Sequence, residues 1–372
     1  MTTLLETEDE TMLRDSARGF LAEASPVAAL RANRDAGRAW DPDLWRQLVE
    51  MGWAGVLVPE EQGGSAMGHR AADILAEEMG VTLTASPFIS TAVIAATVLT
   101  QAGRSAEAIA KGGVTYALAV DEGAKHAPSK TALAATRSGN AFRLSGAKTF
   151  VADGGMADRL LILARTGGAP GEEEGLTLFD IDAASAGITR EAMATVDSRD
   201  HARINMEDVE ATGDDVVGEV DGGLAALALG LRAGQAAVAA ELTGLATGAF
   251  AMTTAYLKER KQFGKVIGTF QALQHRAAHL WCEIEVTASA IANAGRMLDE
   301  DPESAEMAVS LAKARATDTA KLAVIEGVQM HGGIGMTDEF DMGFFMKRAR
   351  VGAEWLGDYG YHTARVARAR GF

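Results

Sequence analysis

From about Gly222 to the C-terminus the chain keeps one texture: apolar residues at the 3.6-residue helical period, dense in alanine and glycine. LAALALGLRAGQAAVAAELTGLATGAFAMTTAYLKER reads as one long helix, and further helical patterns cover 269–298, 303–331 and 343–370. Pro302 and the glycines of HGGIG supply the breaks. Small side chains let helix backbones approach closely, so this region predicts a four-helix bundle. Its outward faces would need partners, which predicts an oligomer.

Two other textures precede it. MLRDSARGFLAEA, HRAADILAEEMG and TAVIAATVLTQAG carry the helical period, and DPDLWRQLVEMG opens on Asp41 before Pro42, a good N-cap with proline in the first turn. VLVPEEQGGS is a loop. After Lys111 come VTYALAV, TALAATR, AFRLSGA, KTFVA, RLLILART, GLTLFDI and HARINME, short runs rich in β-branched or aromatic residues and separated by turn formers. The predicted class is α+β and multidomain: an N-terminal helical domain over 1–110, a middle antiparallel β domain over 111–218, and a C-terminal helical bundle over 219–372.

Composition excludes several functions. With 51 Asp+Glu against 35 Lys+Arg, a formal charge of −16, the chain lacks the positive surface that a nucleic-acid binder needs. The start, MTTLLETEDETMLRD, is too acidic for a signal or transit peptide. FISTAVIAATVL is too short to span a membrane. Cys282 is the single cysteine, so no internal disulfide or multi-cysteine zinc site is expected, and its helical, apolar context suits an inert core thiol. His275, His279 and His331 lack ligand partners at metal spacing and read as structural. A soluble cytoplasmic protein, with no metal, nucleic-acid or membrane partner, is expected.

Two stretches stand apart. RKQFGKVIGTFQALQH and QMHGGIG interrupt helices with glycine and place a guanidinium and planar amides at the breaks. Arg260 is a fork donor suited to a phosphate, Gln271 and Gln329 can read an amide edge or a ribose, and Gly332, Gly333 and Gly335 let backbone N–H groups near an anion. A capped hairpin and a helix C-cap explain the same residues without a ligand, and both readings stand at this point. No glycine-rich Rossmann or P-loop pattern follows a predicted strand.

On these stretches, and on GWAGVLVPEEQGG and LSGAKTFVADGGMADRLLILART, the chain resembles the acyl-CoA dehydrogenase family over essentially its full length. The resemblance implies FAD-dependent α,β-dehydrogenation of an acyl-CoA thioester. It implies a tetramer built on the bundle, with each FAD shared between one subunit's β domain and its neighbour's bundle, and an electron-transfer flavoprotein as a possible acceptor. It also implies that Arg260 and Phe263 meet the pyrophosphate and adenine end of FAD, beside Gln271, Gln329, Gly332 and Gly333.

The catalytic residues depart from the family pattern. A carboxylate normally removes the substrate α-proton, opposite the flavin. Gapless registration puts Leu356 at the usual glutamate, and the alternative position near the RKQFG arginine is Lys261. The flavin-lining loop has no counterpart in LAVDEGAKHAPSK. The flavin-side Trp-Ile-Thr reads Phe150-Val151-Ala152, and the residues that meet CoA fall at Arg232 and Gln235. Three readings follow. In the first, a homologous subunit supplies the base in a heteromer, as in bacterial steroid side-chain degradation. In the second, a displaced base serves a homo-oligomer, with Glu354, Asp358 and Glu241 as candidates against simple pairing to Arg348 or Arg350. In the third, the chain is a non-catalytic acyl-CoA binder or scaffold.

Overall fold

Thr7 opens the first helix with a capping box, its hydroxyl accepting from the Glu10 amide while the Glu10 carboxylate accepts from the Thr7 amide. In this computed structural model, which describes residues 6–372, the helices of the N-terminal third are α1 (Glu8–Ala24), α2 (Val27–Asp35), α3 (Pro42–Glu50), α4 (His69–Thr82), α5 (Ala96–Gln101) and α6 (Glu107–Ala110). Asp41 caps α3 ahead of Pro42, as its sequence predicts. The apolar run at 88–99 is not a plain α-helix. Phe88–Ala95 is wound as a π-helix that feeds α5, and every one of those eight residues is buried.

The strands are β1 (Tyr116–Ala119), β2 (Ala134–Ser138), β3 (Ala141–Ala152), β4 (Arg159–Arg165), β5 (Leu176–Asp182), β6 (Ile188–Ala192), β7 (His201–Thr212) and β8 (Val216–Val217). They form one sheet in the order β6-β7-β3-β2-β4-β5-β8, with β1 also paired to β4. Most pairs are antiparallel, but β1 runs parallel to β4, Tyr116 opposite Arg159, so the sheet is mixed. The β2–β3 hairpin lies between those two strands in the chain and provides the crossover that a parallel pair requires. Phe142 and Phe179 meet edge-on in the sheet's core at 5.2 Å.

The C-terminal helices are α7 (Gly223–Glu259), α8 (Gln271–Glu300), α9 (Glu306–His331), α10 (Met342–Glu354) and α11 (Tyr359–Ala369). The single long helix expected from Gly222 is α7, 37 residues, whereas Cys282 of α8, expected in the core, is exposed. By length and composition α7 could cross a membrane, but 61% of its most apolar window is buried inside the fold. The last pattern, 343–370, is broken in two. Leu356 (φ +57°) and Gly357 (φ +110°) leave the helical region, and the Asp358 carboxylate then caps α11.

Packing divides the chain into two units that do not follow chain order. One gathers α1, α2, residues 73–85 and residues 235–372; the other gathers residues 39–72 and 86–234 with the sheet. In the first unit α4 and α7 touch backbone to backbone. A Cβ on Gly244 would lie 1.7 Å from the Glu77 carbonyl oxygen, and one on Gly80 would lie 2.1 Å from that of Glu241. Buried Arg14 of α1 is held by Glu6, Glu77 and Glu78 at 2.6–2.9 Å.

Candidate active site

Between α7 and α8 the chain makes a small β-hairpin. Strands β9 (Lys261–Gln262) and β10 (Lys265–Val266) pair across Phe263 and Gly264, whose φ values of +52° and +79° define a two-residue primed turn. That turn pushes Phe263 outward to 90% exposure, edge-on to Phe270 at 6.1 Å. Arg260, just before the hairpin, is exposed, and its guanidinium forms no hydrogen bond or ion pair among the described residues. Gln271 is exposed at the first residue of α8.

The second stretch ends α9. Gly332 adopts φ +66° and ψ −144°, a conformation that strongly favours glycine, and Gly332–Met336 then forms a short 3-10 turn. Gln329, Gly332, Gly333 and Met336 line a recess of about 430 Å³. A Cβ on Gly332 or Gly333 would meet nothing within 4 Å, so this backbone lies open. The two stretches meet through rings: His331 packs 4.5 Å from Tyr256, one turn before Arg260, and 4.6 Å from Phe340. His331 Nδ1 bonds the Gly327 carbonyl at 2.7 Å, and burial pushes its pKa down, which favours the neutral ring. An unpaired guanidinium, an exposed aromatic ring, two amides and an open glycine backbone at one end of the bundle suit an anionic, aromatic ligand. The donor set fits the pyrophosphate and adenine of FAD.

The turn between α10 and α11 holds Leu356, 5% exposed. Its carbonyl accepts from Gln235 Nε2 and pairs with His362 Nε2, each at 3.1 Å. Lys313 of α9, fully buried, donates to the carbonyls of Gly352 and Gly357 at 3.0 and 3.1 Å. The three candidate carboxylates are engaged: Glu354 with Arg350 at 2.5 Å, Asp358 with the Tyr361 amide at 2.8 Å, and buried Glu241 with Arg348 at 3.1 Å. Lys261 is an exposed hairpin residue. A groove of about 680 Å³ beside the turn is lined by Glu354, Asp358 and Tyr359 together with α9 and α10 side chains.

In the unit that carries the sheet, β3 is irregular between Lys148 and Val151, and Phe150 there has φ +52° and 48% exposure. The loop after β1 is tied to itself. Asp121 pairs with His126 and accepts from the Ala127 amide, while Glu122 accepts from the amides of Ala132 and Leu133 and from buried Lys148. Burial pushes the Lys148 pKa down to about 8.

The family's N-terminal, middle and C-terminal domains match residues 7–108, 120–209 and 221–370. Acyl-CoA dehydrogenase IpdE2 of Mycobacterium tuberculosis is 31% identical over 354 residues, 94% of this chain and 93% of that protein. This chain belongs to the acyl-CoA dehydrogenase family. It is thus an FAD-dependent oxidoreductase of acyl-CoA. Among solved structures, a variant of the Tcur3481-Tcur3483 steroid ACAD is 29% identical, with TM-score 0.87 over 98% of each chain. The ChsE4-ChsE5 complex of M. tuberculosis shares the fold at 22% identity, TM-score 0.88 and 98% coverage of each chain.

Three residues at the Leu356 turn escape sequence reasoning. Lys313 sits in AVSLAKARATD, where a buried lysine and a solvated one look alike. The sequence matches Gln235 only to a CoA-contacting position, and His362 lies in an apparently solvated C-terminal helix. What marks all three is burial beside carbonyls of one turn, which exists only in three dimensions.

Proposed function

We propose that this acyl-CoA dehydrogenase is the subunit without its own base in a two-component enzyme, acting on the CoA thioester of a fatty acid or a steroid side chain in the cytoplasm. The observation that carries the reading is the Leu356 turn. Gapless registration on the family pattern puts this apolar residue at the base position, and the three candidate carboxylates are committed to an arginine or to a helix cap. A general base must be free to accept a proton within hydrogen-bond reach of the substrate. The paired names of the Tcur3481-Tcur3483 steroid ACAD support a two-component assembly. Trp281, Val286, Leu311 and Ile325, 42–57% exposed on α8 and α9, suit a subunit interface with a like or a homologous chain. Co-expression with candidate homologous subunits, followed by size measurement, flavin absorbance and acyl-CoA oxidation, tests the assignment. A yellow homo-oligomer that turns over unaided would refute it.

Within this assembly Arg260, Phe263, Gln271, Gln329, Gly332 and Gly333 would hold the pyrophosphate and adenine end of FAD. FAD supplies the hydride acceptor; these residues bind and orient its far end. Arg260→Ala should therefore weaken flavin retention, with Kd raised about tenfold or more, since a charge-assisted fork contributes about 1.5–3 kcal/mol. Arg260→Lys should restore only part of it, because an ammonium lacks the planar fork. Flavin fluorescence released on dilution of the purified assembly measures both, and unchanged retention in the alanine variant would remove Arg260 from the site.

A further inference from the structure

Leu356 stands in the left-handed backbone region, which disfavours a leucine, and three buried polar side chains from three helices converge on its turn. Such a conformation persists only where its surroundings over-determine it. Gln235 of α7 and His362 of α11 hold the carbonyl of Leu356 itself. Lys313 bridges the turn: it reaches Gly352 and Ala353 on one side, at 3.0 and 3.4 Å, and Gly357 on the other, at 3.1 Å. Thr317 Oγ1, at 3.4 Å, is its fourth acceptor.

We propose that Lys313 is a positioning residue, whose ammonium ties both arms of the 354–358 turn and so sets where residue 356 stands for the acyl-CoA reaction. The proposal rests on reading that turn as the family's base position. An ammonium carries three donors for these carbonyls; a neutral amine carries two and turns a lone pair toward them. The clamp should therefore loosen on deprotonation. Burial pushes the Lys313 pKa down to about 7, against the opposing pull of Glu354 at the end of α10 and Asp358 at the start of α11. Of the other ionisable groups on the packed helices, His362 bonds the Leu356 carbonyl, Arg350 pairs with Glu354, Arg348 with Glu241, and Arg365 of α11 with Glu306 of α9.

The sign of the linkage separates unfolding, in which Lys313 reaches solvent, from a loosening in which Lys313 stays buried while the carbonyls draw away from it. Between pH about 7 and the ordinary lysine value of 10.5 the folded chain binds fewer protons at Lys313 than the unfolded chain does. This group's contribution to global stability therefore rises with pH across that window, and its burial cost is fully present below pH 7. The turn should loosen while the fold does not.

Amide hydrogen exchange on the full chain in its purified assembly, followed over peptides covering 353–359, tests this. In Lys313→Met, exchange of the turn should rise about tenfold or more over wild type at pH 6, with α7 and α9 unchanged. In the wild type, exchange corrected for its intrinsic pH dependence should rise from pH 6 to 8.5, and that rise should vanish in Lys313→Met. Unchanged turn exchange in the variant would overturn the clamp, as would a pH response that survives in it. If the variant does not fold, a flat wild-type pH series alone overturns the proposal. Adding decanoyl-CoA to the wild type should slow exchange at the turn; a turn that Lys313 controls but decanoyl-CoA leaves untouched would refute the substrate-facing reading and spare the clamp.

Discussion

Purified without a partner, this chain should oxidise acyl-CoA at a rate about 10²–10⁴-fold below that of the paired assembly, the usual contribution of a positioned general base. A leucine cannot accept the α-proton, and the surrounding carboxylates are poor substitutes. Glu241 is buried and paired with Arg348. Glu354 is paired on the exposed side of α10, and Asp358 is needed to start α11. In the paired assembly, Glu354→Gln should leave turnover within a few-fold of wild type. Asp358→Asn should do the same, since asparagine also caps helices. Loss of activity should follow instead from removing a carboxylate of the homologous subunit. Steady-state kinetics with an artificial electron acceptor checks this, and turnover by the isolated chain that Glu354→Gln or Asp358→Asn abolishes would identify a displaced base.

The largest stability effect should come from a single added methyl group. At Gly244 a Cβ would fall 1.7 Å from the Glu77 carbonyl oxygen, with the Glu77 carbonyl carbon at 2.7 Å, all of it backbone. No side-chain rotation relieves such a contact; α4 and α7 must separate. Gly244→Ala should cost at least the upper part of the range for overpacked sites, about 3 kcal/mol, and it should yield little folded protein. Gly19→Ala is the control. Gly19 lies inside α1, and its Cβ would meet nothing within 4 Å, so alanine should stabilise by about 0.5–1 kcal/mol through lower unfolded-chain entropy and better helix propensity. Thermal melts of both variants decide the matter, and equal effects would mean that the α4–α7 approach does not limit stability.

Much of the fold was legible because periodicity reports local geometry. The 3.6-residue repeat of α7, the Asp41–Pro42 start of α3 and the short strands after Lys111 each follow from residues a few positions apart. The proposed site could be drawn from sequence for another reason: Arg260, Gln329 and Gly332 stand at helix breaks, where polar groups and glycines have little part in a buried core. Leu356 was legible only as an omission.

What the sequence determined by itself was therefore the element types and the family. Only the tertiary structure decided that Phe88–Ala95 winds as a π-helix, that β1 lies parallel to β4, and that the last helical pattern is cut at Leu356. The tertiary structure also sorted the polar residues, burying Lys313, Gln235 and His362 around one turn and leaving Arg260 and Lys261 in solvent. The physical reason is range. Helix and strand propensities act over a few residues, whereas burial, desolvation and backbone strain are set by groups brought together from positions as far apart as Gln235 and Leu356.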